Sequence, residues 1–333
     1  MLYRKLLFPL LASLDAETSH HLVLNLLRRS QLVAPVLAPL MSVRAPVPAF
    51  GLTFPNAIGL AAGFDKNALA VRGLAALGFG HIEIGTVTPR PQPGRERPRL
   101  FRLKEDQALI NSLGFPSQGM EAVARRLERL THRDFILGVN VGPNAGSVGV
   151  DDFVRAAQRL APLADYLTVN VSSPNTAGLR DMQASRALAD LLSGVTAVVS
   201  APVLVKIAPD LNEQRLCAML EVIQAHRVAG VIATNTTVAR PPQLRSPHAA
   251  EAGGLSGRPL AERSTEIIRL IAHHTHGQLP IIGAGGIATP ADAQAKLAAG
   301  ATLLQIYTGF IYEGPFLPRR LARGVSIHEG VYA

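Results

Sequence analysis

The sequence predicts an α/β protein, a (β/α)8 barrel with an N-terminal helical hairpin extension. Three observations carry that expectation. From Pro55 onward, short β-branched runs alternate with amphipathic segments, and strand–helix alternation means a parallel sheet. The β-branched runs number eight, the count that closes such a barrel. The 29 glycines and 24 prolines among 333 residues supply the tight turns that so many short elements need.

The candidate strands, in order, are Asn56–Ala61, His81–Thr86, Phe135–Val141, Tyr166–Val171, Val203–Ile207, Gly230–Thr234, Pro280–Gly283 and Thr302–Ile306. Between most of them lie helical patterns such as Phe153–Leu163, Ala187–Val199, Glu213–Ala225 and Pro290–Ala299. An open doubly wound sheet would need a G-x-G-x-x-G turn after its first strand. Gly59-Leu60-Ala61-Ala62-Gly63 lacks that spacing. The closed TIM-type barrel is therefore placed at 46–333 and the extension at 1–45.

The extension has its own logic. Arg4 and Lys5 precede a short apolar run, as in a secretory signal. Pro9 interrupts that run and no clean A-x-A site follows, so short helices are the better reading. Asp15 is the expected N-cap of the second helix, with Glu17 in its first turn and Arg28-Arg29 in its last, matching the helix dipole. Leu22, Val23, Leu26 and Leu27 form an apolar stripe, and Leu32–Met41 is nearly all apolar. Such a hairpin either packs on a core or dips into a membrane interface, where its arginines would meet anionic lipid.

Composition narrows the function. Hydrophobic residues make up 48% and charged residues 17%, which excludes a disordered chain. The net charge of +9 favours an anionic partner. Aromatics are only 5% and Trp is absent, so no stacking platform for single-stranded nucleic acid is expected. No apolar run reaches the roughly 18–20 residues that span a bilayer. The single cysteine, Cys217, excludes an intrachain disulfide and a cysteine-based zinc site. It falls in a helical pattern and reads as an inert core residue, while His273, His274 and His276 read as solvated surface.

Barrel chemistry sits where strands end. In order, those ends carry Ala61–Lys66, Gly85-Thr86, Asn140, Asn170–Thr176, Lys206, Thr234-Asn235-Thr236, Gly283–Gly286 and Tyr307-Thr308-Gly309. Two lysines and a ring of amides and hydroxyls converge there, and Asp65 is the one carboxylate. That excludes a paired-carboxylate glycosidase and any convincing metal site. Amides donate and accept, so they suit a planar heterocycle. Lys206 would balance an anion, and the glycines after the last two strands would hold a phosphate. On these grounds a flavin mononucleotide enzyme and an aldolase-like phosphosugar enzyme both stay open.

Seven ordered blocks decide more. Gly59–Lys66, Ile84–Gly94 with Arg97–Leu103, Asn170–Thr176, Val205–Asp210, Thr234–Thr237, Gly253–Gly257 and Gln305–Thr308 closely resemble the quinone-dependent (class 2) dihydroorotate dehydrogenases. The resemblance covers nearly the whole chain. It implies one FMN per chain, contacted by Ala62, Gly63, Phe64, Asp65, Lys66, Thr86, Asn140, Asn170, Lys206, Thr234, Gly257, Gly286, Tyr307 and Thr308. It implies a dihydroorotate site made by Lys66, Asn111, Ser112, Leu113, Gly114, Phe115, Asn170, Asn175, Asn235 and Thr236. Ser112, Pro116 and Pro143 depart from the residues common in the family at those places.

By the same resemblance, Ser173 is the catalytic base that takes the C5 proton of dihydroorotate, with Thr176 relaying through a water. Soluble relatives use a cysteine base on that loop, and Cys217 lies elsewhere. Lys206 would stabilise the anionic reduced flavin, and a membrane quinone is the co-substrate, with His20 and Arg102 lining its tunnel. The implied partners are dihydroorotate and orotate, quinone and an anionic lipid surface, with no nucleic acid, no metal and a monomeric chain. The implied pathway is de novo pyrimidine biosynthesis. The implied location is peripheral, on the cytoplasmic face of a bacterial cell membrane.

Overall fold

The computed structural model describes residues 3–32, 34–130 and 133–325. Eight parallel strands close into a barrel, each hydrogen-bonded to its neighbours in sequence. They are β1 (Ile58–Leu60), β2 (His81–Val87), β3 (Ile136–Val141), β4 (Tyr166–Asn170), β5 (Val203–Ile207), β6 (Gly230–Ala233), β7 (Ile281–Ala284) and β8 (Leu303–Ile306). Closure is made by β8 against β1, with Leu304 opposite Ile58. All eight fall within the expected segments or run one residue beyond them. The sequence placed them well because these strands are buried on both faces and therefore read as continuous apolar runs.

The helices follow the expected patterns, with shifted ends. Val150–Leu160, Ser185–Thr196, Glu213–Ala225 and Pro290–Ala298 pack around the barrel. Thr289 caps the last of these in a reciprocal pair with Asp292. Cys217 is only half-buried, which corrects its reading as a core residue: it stands beside the inward stripe of its helix formed by Leu216, Met219, Leu220 and Ile223.

Two sheets outside the barrel have no counterpart among the expected strands. The hairpin of Val47–Ala49 and Leu52–Phe54 carries Phe54 to the barrel floor, fully buried. There Phe54 meets His81 edge-on at 5.2 Å between ring centroids and lies 6.5 Å from Tyr166. The Tyr166 ring fills space that only glycine leaves open, since a Cβ on Gly138 would come within 2.1 Å of it. The second sheet is an antiparallel cap, ordered Gly254–Gly257, Ala108–Asn111, Leu100–Leu103. It has a small core of its own, Leu103, Ala108, Ile110 and Leu255.

The extension is helical, as expected. Asp15 caps the helix Ala16–Arg29 by accepting from the Glu17 and Thr18 N–H groups. The apolar stripe is split in two: Val23 and Leu27 pack on the core, while Leu22 and Leu26 are 54% and 67% exposed. Glu17 does more than meet the helix dipole, because it is buried against Arg97 and Arg99.

Candidate active site

At the C-terminal end of the barrel strands a cleft opens under the cap, with about 1080 Å3 of empty space including its open edge. Its wall contains Ala62, Gly63, Lys66, Thr86, Asn170, Lys206, Thr234, Gly257, Gly286, Tyr307 and Thr308 of the expected flavin set. It also contains Asn111, Leu113, Gly114, Phe115, Asn175, Asn235, Thr236 and Ser173. Residues far apart in sequence are thus brought together by strand ends from all round the barrel and by the cap.

Four expected contacts lie outside that wall. The Phe64 ring is buried against Tyr307 and Phe310. Asp65 is fully buried and turned into its own loop, accepting from the Leu69 and Ala70 N–H groups at 2.8 and 2.7 Å. Burial raises its carboxyl, and those donors act against the rise. Ser112 is half-buried and gives its N–H to the Arg99 carbonyl. Asn140 is fully buried beneath the wall, where Thr86 Oγ1 donates to its Oδ1 at 2.6 Å.

One carboxylate was missed. Glu83 points into the barrel and accepts from Asn140 and Gln305 amides and from the Tyr166 and Thr168 hydroxyls. The sequence reading counted Asp65 as the mouth's carboxylate, whereas the acid that reaches the barrel axis is Glu83. The signal was present: Glu83 is the one carboxylate in a strand buried along its whole length, and a buried acid needs partners. The cap residues Leu100, Leu109 and Ser256 were also missed, because the cap itself was.

The two neighbouring serines face different ways. Ser173 lines the cleft, and its Oγ accepts the Asn175 N–H at 3.3 Å. Ser172 has no exposed surface; it donates to Asn170 Oδ1 and accepts from Asn235 Nδ2, each at 2.9 Å. Asn175 reaches across to the Asn111 carbonyl at 3.1 Å and so joins the β4 loop to the cap. Thr176 is buried outside the cleft wall.

Burial governs the cations. Lys66 is pushed down to about 8 by burial first, with Glu17 and Asp65 acting against the drop and Arg99 adding to it. Its Nζ donates to the Gly63 carbonyl at 2.6 Å. Lys206 is also lowered by burial, and the charge of Glu83 opposes this. His20 is pushed down to about 3 by burial, then by Lys66 and His21, and its ring stands edge-on to Phe64 at 5.0 Å. Arg102, on the cap, donates to the carbonyls of Ala12, Leu14 and Asp15. Both expected tunnel residues therefore sit where the extension meets the barrel.

The wall fits a flavin mononucleotide. Lys206 is a buried cation in no ion pair among the described residues, which an anionic ring would complement. Gly286, with φ of +74° and a would-be Cβ 2.3 Å from Ala261, must be glycine and presents bare backbone. Among the described residues no group of His, Cys, Asp and Glu could hold a metal.

Comparisons with known proteins agree with this geometry. The family model for dihydroorotate dehydrogenase matches residues 45–327. The curated dihydroorotate dehydrogenase (quinone) of Nocardioides is 49% identical, over 94% of this chain and 94% of its own. Its counterpart in Thermus thermophilus is 47% identical over 95% and 94%. A crystal structure of the Eimeria tenella enzyme with ferulenol superposes with a TM-score of 0.84 at 37% identity, covering 92% of this chain and 90% of that one. On these matches the chain belongs to the dihydroorotate dehydrogenase family, in its quinone-linked class.

Proposed function

We propose that this chain oxidises dihydroorotate to orotate in de novo pyrimidine biosynthesis, with one FMN in the cleft and a membrane quinone as final electron acceptor. The observation that carries the reading is Ser173, exposed to the cleft among Lys66, Asn111, Asn170, Asn175 and Asn235. FMN, when bound, supplies the acceptor for the C6 hydride and passes two electrons on to quinone. Ser173 Oγ takes the C5 proton as its own hydroxyl proton leaves to solvent by way of a water and Thr176, and the Asn175 N–H it faces supports the negative charge that Oγ carries between the two transfers. The asparagines orient the ring of the substrate, and Lys66 binds its carboxylate. Lys206, in the cleft wall, would hold a positive charge beside the bound ring.

The extension supports a peripheral membrane location, which we place on the cytoplasmic face, where anionic lipid gathers. No helix among the described residues is long and apolar enough to cross a membrane. Yet eight large apolar side chains before Ser42 stand exposed: Leu6, Leu7, Leu10, Leu14, Leu22, Leu26, Val36 and Leu40. With Arg28 and Arg29 closing the helix, that face suits anionic lipid and gives quinone a way to His20 and Arg102. The test is direct. The purified monomeric protein should be yellow, lose its flavin absorption when dihydroorotate is added without oxygen, and regain it with a ubiquinone analogue. A colourless protein, or one that dihydroorotate does not bleach, would overturn the reading.

A further inference from the structure

Glu83 lies inside the barrel on β2 with no exposed surface. The Asn140 amide NH2 reaches one of its oxygens at 2.8 Å. Gln305 Nε2 reaches the other at 2.9 Å, with the Tyr166 and Thr168 hydroxyls at 3.2 Å each. Amide NH2 groups only donate and an ionised carboxylate only accepts, so this set of partners fits the charged form. Lys206 on β5 is a buried cation beside this network, for it stands opposite Asn170 in the β4–β5 register, and the charge of Glu83 opposes its loss of a proton.

The sense of three amides follows from that one acceptor. An amide in isolation fits its pocket either way round. Above a carboxylate, Asn140 must turn its NH2 down, which leaves Oδ1 facing the mouth. There Oδ1 accepts from Thr86 Oγ1 at 2.6 Å and from Asn170 Nδ2 at 3.2 Å. Asn170 then keeps its own Oδ1 for Ser172, whose hydroxyl accepts from Asn235 Nδ2. Asn170 and Asn235 face the cleft, so the chain of bonds carries a choice made beneath the site up to the substrate.

We propose that Glu83 is a positioning residue: its buried carboxylate fixes the amide sense of Asn140, Asn170 and Asn235 and balances the charge of Lys206. The inference rests on the reading of the cleft as a flavin and orotate site. The coupling of the two charges, by contrast, belongs to the protein alone and is tested without any ligand.

The experiment is a double-mutant cycle on flavin-free protein, comparing wild type, Glu83→Gln, Lys206→Met and the double variant by thermal melting. Each single change strands one buried charge and should lower Tm. The double change removes both, so it should melt higher than the summed losses allow. Additive losses would overturn the proposal. The same holds if Glu83→Gln yields no folded protein and adding Lys206→Met recovers none.

The flavin-loaded protein gives a second readout. Glu83→Gln should weaken orotate binding roughly fivefold, the loss of about one hydrogen bond, read from the shift in flavin absorption. It should also move the alkaline limb of flavin reduction to lower pH. The titratable groups around Glu83 are Tyr166, bonded to it, and Lys206, which feels its charge, with His81 two residues back on β2. Tyr166 is raised well above 10.0 by burial and His81 lowered to about 3 by burial, which leaves Lys206 and, on the cleft wall, Lys66; a shift that survives in the Lys206→Met background would belong to Lys66 and overturn the charge balance. An unchanged orotate affinity with an equal loss of rate at every pH would overturn the positioning role. A colourless protein that still shows the thermal coupling would support the charge balance and overturn the functional reading.

Discussion

Arg99 holds Glu17 by two parallel bonds, Nε to Oε2 at 3.0 Å and Nη2 to Oε1 at 2.7 Å, with both side chains buried. Arg97 adds a third bond to Oε1 at 3.0 Å. The same Arg99 guanidinium donates to the carbonyls of Pro93 and Arg95. One side chain therefore sets both the docking of the N-terminal helix and the path of the segment that leads into the cap.

This pair predicts an acid transition confined to the extension. Burial by itself would raise the Glu17 carboxyl, but Arg99 and Arg97 outweigh it and hold the group at about 2, against an ordinary 4.5. A depressed carboxyl stabilises the fold above its unfolded pKa and loses that stabilisation as pH falls through the folded one. The helix Ala16–Arg29 should thus lose amide-exchange protection between about 4.5 and about 2, before the barrel strands do. Glu17→Ala should cost about 3 kcal/mol, the low end for a broken buried pair because Arg97 is largely exposed. Equal protection of helix and strands across that window would contradict the account.

Ser173 and Ser172 separate chemistry from positioning. Ser173→Ala should leave flavin and orotate binding in place while slowing anaerobic flavin reduction by about 10²–10⁴-fold, the range for a lost general base. Ser173→Cys should retain more rate than the alanine variant, since a thiol ionises near 8.5. Ser172→Ala frees the amides of Asn170 and Asn235, so its effect should fall on orotate affinity by about fivefold and only modestly on rate. Rapid-reaction traces showing the reverse order would put the base one residue earlier.

Lys66 gives the cleft a pH dependence of its own. With the group at about 8, the free protein carries a cation there below that pH and loses it above. The affinity for orotate, an anion, should be level below about 8 and decline as pH rises further. In Lys66→Met the affinity should be low and flat across the same range. A titration in which wild type and variant decline in parallel would assign the effect to another group.

The exposed leucines predict lipid binding that is separable from chemistry. Leu22→Glu with Leu26→Glu should reduce sedimentation with anionic vesicles by at least about tenfold, given the transfer energy of two leucines. Reduction of the flavin by dihydroorotate should stay at the wild-type rate. Unaltered vesicle binding would remove this helix face from the membrane contact.

The barrel was legible because its strands are short, apolar and regularly interrupted by amphipathic helices. The cap was not. Leu100–Leu103 and Ala108–Asn111 are four-residue strands. Their partner Gly254–Gly257 lies more than 140 positions on, and no local periodicity announces such a pairing. Most of the strand-end residues singled out in the sequence line one cleft, since strand ends converge by the geometry of the barrel. Phe64 and Asp65 lie off that wall, because a loop residue's direction depends on what it caps: Asp65 closes its own turn, and Phe64 packs against Tyr307. Glu83 was passed over for the opposite reason. It lies mid-strand, where attention to the ends does not reach.

The phenylalanine at the barrel floor makes the protein a cup and not a pipe. With Phe54 seated on His81 and Tyr166, nothing flows through the barrel axis. Whatever enters at the rim must leave at the rim, and the rim is already crowded by the cap and by the helix tied to it through Arg99. Traffic therefore belongs to one face of the barrel, and any gate on it is made by the cap and the docked helix, not by the floor.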